Sequence, residues 1–265
     1  MPEYEVFAIR YATHERLRRN NFMVPDPHDG PMPMDYFVWL IRKENEHYLV
    51  DTGFNQSAAD SRGRTLLRCP IQALRLLGLR PEDVGDVILT HMHYDHAGNV
   101  DLLPSAQFHL QESEMHYATG RYMRYSPLRQ PFSVSDVINI VRGVYQQRVV
   151  FHQGNASLAP GIQLIHIGGH TQGLQAVRVH TSRGWVVLAS DASHYYDNME
   201  EESPFPVVLH VGEMLKGYQT LSALADSADH IIPGHDPMVR SLYPFEGDPV
   251  NDIVALHKPP RQKRQ

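Results

Sequence analysis

Short apolar runs rich in β-branched and aromatic residues, bounded by turn formers, mark residues 4–11 (YEVFAIRY), 36–42 (YFVWLIR) and 47–50 (HYLV). They predict three strands at the start of the chain. Between the first two, Pro25, Pro27, Gly30, Pro31 and Pro33 forbid regular structure and predict a long loop. The spacing then changes. Leu66, Leu67, Ile71, Leu74, Leu77 and Leu79 recur at helical intervals until Pro81, so a helix is expected over 64–79. A strand follows at 86–90, then a helix from near Ala97, a strand at 106–110, a polar segment across 111–131 and a helix over 134–147. The later half reads as strands at 162–167, 174–180, 185–190 and 230–233, with a helix over 212–225. Mixed elements of this kind predict an α/β protein with layered sheets. Because no linker, repeat or low-complexity tract divides residues 1–265, one domain is expected.

Composition narrows the partners. At 42% hydrophobic residues the chain can bury a substantial core. No stretch approaches the roughly 20 apolar residues of a membrane span, and the first residues carry no export signal. The only cysteine, Cys69, excludes an internal disulfide and a multi-cysteine zinc site, and it fits a reducing cytoplasm. These features predict a cytoplasmic protein without a membrane partner. A formal net charge of −6 argues against a nucleic-acid surface, and the basic runs Arg16–Arg19 and Lys258–Arg264 read as solvated charge. The 17 histidines exceed what packing requires and direct attention to metal-ligand spacing.

Four of the strand-like runs end in a potential ligand: VILT leads into His91, IQLIHIGG into His170, VVLAS into Asp191 and HIIPG into His235. Strands that stop at one edge of a sheet system place their terminal residues side by side, so distant ligands converge on one cleft. The segment HMHYDH supplies His91, His93, Asp95 and His96. In an extended segment His91 and His93 point to the same side and can hold one ion. Asp95 and His96 fall where the chain turns and can face a second.

The pattern His91-x-His93-x-Asp95-His96, followed by His170, Asp191 and His235, resembles that of the metallo-β-lactamase superfamily. Its order and spacing are most similar to those of the N-acyl-homoserine lactone lactonases. The resemblance runs from LVDTG at 49–53 to PGHD at 233–236. It implies an α/β fold of the four-layer αββα sandwich type, with two divalent metal ions in a cleft at the sheet edges. It further implies that His91, His93 and His170 hold one ion, that Asp95, His96 and His235 hold the other, and that Asp191 bridges them. Asp51 resembles a residue that orients a ligating histidine. Imidazoles and carboxylates suit Zn²⁺ best.

The expected activity is hydrolysis of an ester-like bond, with a metal-bridging hydroxide attacking the carbonyl of a lactone and Asp95 shuttling the proton. The substrate is an N-acyl-homoserine lactone, as in quorum quenching, or a carboxylated or aromatic catabolic lactone. Where the lactonases have a substrate-binding tyrosine, this chain has His194; either His194 or a neighbour, Tyr195 or Tyr196, takes that role. Arg121 and Arg124 in the polar segment are candidates to pair with a substrate carboxylate, and Phe22 and Met23 to wall an acyl pocket. Two other readings share the metal motif: a glyoxalase II-like thioesterase and a mononuclear iron persulfide dioxygenase. A homodimer is the default assembly.

Overall fold

The structure is a computed structural model that describes residues 1–24, 27 and 29–264. Pro25, Asp26 and His28 of the proline-rich loop, and Gln265, lie outside the described residues. The first sheet contains β1 (Glu5–His14), β2 (Met34–Lys43), β3 (Glu46–Val50), β4 (Thr65–Leu66), β5 (Asp86–Ile88), β6 (Gln107–Gln111) and β7 (Val149–His152). The second contains β8 (Ala156–Ala159), β9 (Ile162–His166), β10 (Gln175–Thr181), β11 (Gly184–Ser190) and β12 (Ile231–Pro233). A last strand, β13 (Ile253–Ala255), returns to the first sheet. The strand orders are β13-β1-β2-β3-β5-β6-β7, with β4 beside β1, and β12-β11-β10-β9-β8.

Side-chain alternation sets the layers, because successive residues of a strand face opposite sides. Val6 and Ala8 of β1, and Phe37, Trp39 and Ile41 of β2, meet Leu164, Val177 and Leu188 of the second sheet. Their strand neighbours Phe7, Ile9, Val38 and Leu40 face the other way. That outer face is covered by elements that include α1 (Gln56–Arg62), α2 (Glu112–Ala118) and α4 (Val134–Tyr145), reached through the short α3 (Ser126–Arg129). Behind the second sheet, Ala176, Val187 and Ala189 pack on Leu221 of α6 (Val211–Leu224). The layering is therefore helix, sheet, sheet, helix. Two short helices, α5 (Tyr196–Glu200) and α7 (Met238–Leu242), follow the ends of β11 and β12. Among the described residues no helix is long and apolar enough to cross a membrane.

Two expected helices do not form. Over 64–79, Thr65 and Leu66 pair instead with Thr13 and Ala12 of β1. Pro70 then has no N–H to donate and disfavours helix at Cys69, leaving one 3₁₀ segment, Gln72–Leu77. After Ala97, Gly98 lies against backbone: a Cβ there would stand 2.6 Å from the Gly53 carbonyl oxygen and 2.8 Å from that of Tyr94. Only a 3₁₀ turn, Val100–Leu102, follows before Pro104. The polar segment 111–131, to which the sequence assigns no element, contains α2 and α3.

Candidate metal centre

β9 and β11 both run antiparallel to β10, and β12 runs parallel to β11, so all three point the same way. His170, Asp191 and His235 follow their ends. His91, His93, Asp95 and His96 follow β5 of the first sheet. Asp191 stands between two groups of imidazoles. Its Oδ2 lies 3.1 Å from His170 Nε2, 3.7 Å from His91 Nε2 and 3.1 Å from His194 Nε2. Its Oδ1 lies 3.2 Å from His96 Nε2 and 3.0 Å from His235 Nε2. Donor atoms of His91, His93, His170 and Asp191 lie within 4.8 Å of one another, as do those of Asp95, His96 and His235. A third such group joins Asp191 and His235 to His194.

The nitrogens that face inward are fixed from outside. Asp51, fully buried at φ 62° in the turn after β3, accepts from Thr90 N–H at 2.7 Å and from its hydroxyl at 2.8 Å. With its single proton thus used, Thr90 Oγ1 accepts from His91 Nδ1 at 3.1 Å and from Ser190 at 2.9 Å. Asp51 also takes the Nδ1 proton of His96 at 2.7 Å, and the Asp35 carbonyl takes that of His235 at 2.9 Å. In each case the Nε2 lone pair is left facing the cluster. His91 Nε2 is buried with no hydrogen-bond partner. His93 Nδ1 and His170 Nε2 approach to 3.0 Å, two nitrogens aimed at one place. Inward lone pairs, a buried orphan nitrogen and N/O donors form a set that fits divalent ions.

Burial would raise the Asp191 carboxyl, but His194, His96, His235 and His170 outweigh it and hold it well below the usual range. Burial would lower His96, yet Asp191, Asp51 and Asp95 prevail and raise it well above its ordinary value. Burial, with the surrounding histidines, lowers His91 and His93 strongly. Burial also brings His194 down to about 3, against the pull of Asp191. Asp191 is thus the fixed negative centre of a ring of imidazoles.

A residue without a spacing signal ties the ligand loops together. Glu114 is fully buried on α2; its Oε1 accepts from Met92 N–H, between His91 and His93, and its Oε2 from Gly173 N–H, beyond His170, both at 2.9 Å. Asp51 has the larger reach. Asp51→Ala is expected to weaken metal affinity about 10–100-fold, the usual effect of losing a carboxylate behind a ligating histidine. Competition titration against a chromogenic chelator measures it, and unchanged affinity would reduce Asp51 to a turn residue.

The cluster floors a cleft of about 220 Å³ whose walls include Met34, Tyr36, Tyr94, Phe205 and Val207. His194 lines it, stacked on Phe205 at 3.9 Å between centroids and 8° between planes. Tyr195 and Tyr196 do not reach it. The Tyr195 hydroxyl donates to the Pro33 carbonyl at 3.3 Å, and Tyr196 is buried between the sheets. The turn that follows Asp191 and the start of α5 carry both rings into packing, which corrects their expected role. Nor do the expected substrate contacts line the cleft. Phe22 is buried under the Arg18 guanidinium at 4.3 Å, and Met23 is exposed near the surface. Arg121 and Arg124 are exposed on a 3₁₀ turn, Arg121 lying 5.3 Å from its neighbour Tyr122. Three other arginines line the cleft: Arg16, Arg62 and Arg64.

Residues 32–235 match the sequence profile of the Metallo-beta-lactamase superfamily. The chain is 30% identical over 189 residues to an N-acyl homoserine lactonase of Bacillus sp, covering 65% of this chain and 70% of that one. It is 26% identical over 249 residues to a probable metallo-hydrolase of Mycobacterium tuberculosis, covering 84% and 74%. Among solved structures, a quorum-quenching N-acyl homoserine lactone lactonase superposes with a TM-score of 0.75 at 22% identity, covering 90% of this chain and 94% of that one. A dizinc quorum-quenching lactonase gives 0.70 at 18% identity, covering 89% of each.

Proposed function

The chain belongs to the metallo-β-lactamase superfamily, and from that premise we propose that it is a binuclear, zinc-dependent hydrolase that opens lactone rings. The observation that carries this reading is the position of Asp191, one oxygen turned to His91 and His170 and the other to His96 and His235. His91, His93 and His170 would hold one ion, Asp95, His96 and His235 the other, with Asp191 between them. Two divalent ions there supply Lewis acidity, making water a better nucleophile at neutral pH and polarising an ester carbonyl.

The chain's own groups do the rest. Hydrolysis adds water to the ring carbonyl carbon, breaks the ring C–O bond and delivers a proton to the departing oxygen, giving a hydroxy acid. Asp95, which lines the cleft with its side chain 11% exposed, is placed to carry that proton. His194, held flat on Phe205 with Nε2 3.1 Å from Asp191 Oδ2, lines the cleft beside the cluster and shapes the space a substrate would occupy. Met34, Phe205 and Val207 keep one wall apolar and limit water. The relatives named as N-acyl homoserine lactonases support a lactone over other esters. Degradation of a quorum signal and opening of a catabolic lactone both follow from this chemistry. A cytoplasmic location is consistent with the single cysteine.

Elemental analysis of protein purified without added metal, paired with a pH-stat assay over lactones and thioesters, tests the proposal. Two zinc ions per chain and acid release from lactones are expected. Preference for thioesters would move the reading to a glyoxalase II-like enzyme. One iron with oxygen uptake would overturn hydrolysis altogether.

A further inference from the structure

Lactone hydrolysis by itself leaves three cations of the cleft without a task. The register Thr13↔Thr65 between β1 and β4 carries Arg64 alongside His14, with Nη1 3.1 Å from His14 Nε2. Gly63, at φ +63°, ends α1 between Arg62 and Arg64 in the left-handed conformation that glycine favours. Arg62 lies over the Tyr94 ring at 4.0 Å and gives both terminal nitrogens to the carbonyls of Gln130 and Phe132. It is a brace. Arg64 Nε donates to the Tyr94 hydroxyl at 3.2 Å and Nη1 to the Arg62 carbonyl at 2.6 Å. Arg16 donates from Nε to Asn21 Oδ1 at 2.6 Å and from Nη2 to the Asn20 carbonyl at 2.5 Å.

These bonds orient the guanidiniums without a salt bridge, although the Asp95 carboxylate attracts Arg64 from across the cleft. Among the described residues none of the three has a carboxylate partner, and Arg16 Nη1 and Arg64 Nη2 have no hydrogen-bond partner. Asp95 and Asp191, the carboxylates of the cleft, face histidines. Burial, with Arg64 and Arg16 adding to it, brings His14 down to about 4. In a chain of net charge −6, half-buried arginines gathered without a salt-bridge partner among the described residues, beside the histidine cluster, mark an anion site.

We infer that the substrate is a lactone bearing a carboxylate, which Arg16 and Arg64 bind at the free edges of their guanidiniums while the ring carbonyl lies over the histidine cluster. The planar two-oxygen carboxylate matches guanidinium edges. The small cleft favours a compact acid over a long acyl chain. This inference rests on the lactonase reading and can fail separately from it.

The probes are 5-oxotetrahydrofuran-2-carboxylate and its uncharged carboxamide, assayed with the zinc-loaded full chain. The wild type is expected to prefer the carboxylate at least about 30-fold in kcat/KM, mostly through KM, with that KM rising as NaCl is added. Arg16→Gln and Arg64→Gln should each cut the carboxylate-to-carboxamide ratio at least about 10-fold, and Arg64→Lys should restore part of it. Turnover of both probes with no preference and no salt dependence would overturn the inference and leave the lactonase reading in place. Failure to open either probe, or any other lactone, would overturn that reading as well. If a glutamine variant does not fold, the wild-type preference and its salt dependence decide alone.

Discussion

Asp191→Ala is expected to lower kcat/KM for lactones by about 10³-fold or more, because it removes the one carboxylate that addresses both halves of the histidine cluster. The loss is electrostatic before it is structural. His91, His96, His170, His194 and His235 all lie within 3.7 Å of an Asp191 oxygen, and alanine would leave those buried rings without a negative centre. Metal content should fall below the wild-type value, read by elemental analysis after dialysis. Asp191→Asn keeps the shape without the charge and should fail almost as badly. An alanine variant that retained two tightly held ions and the wild-type rate would remove Asp191 from the centre of the site.

Exhaustive chelation should abolish activity and lower Tm by on the order of 10 °C. An ion present at about 1,000 times its Kd stabilises the folded state by about 4 kcal/mol, and for a chain of this size each kcal/mol moves Tm by a few degrees. The direction follows from the cluster itself, which packs imidazoles of low proton affinity, such as His91 and His93, against one another with no hydrogen-bond partner for His91 Nε2. Differential scanning calorimetry before and after zinc is restored measures the shift. Equal Tm values with and without metal would mean that the cluster is already satisfied by its own contacts.

The parts of this molecule legible in the sequence are those where one local signal decides. β1, β2, β10 and β11 announced themselves as apolar runs because both of their faces are covered, one sheet against the other and each against helices. The histidine cluster was legible because its residues follow strand ends, where spacing is regular. The helix expected over 64–79 was not, since a leucine spacing says nothing of the pairing of Thr65 and Leu66 with β1. Glu114 was invisible for the same reason: it is one acid in a polar stretch, and its two backbone partners, Met92 and Gly173, are brought to it only by the fold. Arg16 read as surface charge, and Arg62 and Arg64 carried no signal, because the cleft that unites them draws on β1, α1 and the turn before β4. Tyr195 and Tyr196 stand next to a cluster residue in sequence, and neighbours along a chain seldom share a direction.

The division of the sheets along the chain has a further consequence. β1 to β7, residues 5–152, precede β8 to β12, residues 156–233, with only β13 crossing back. The first stretch supplies His91, His93, Asp95 and His96, the second His170, Asp191 and His235. The groups built from His91, His93, His170 and Asp191 and from Asp95, His96 and His235 each draw on both stretches, so an ion held by either would favour the docked pair of sheets. Such an ion would act as a rivet across the seam, linking residues that the order of the chain keeps far apart.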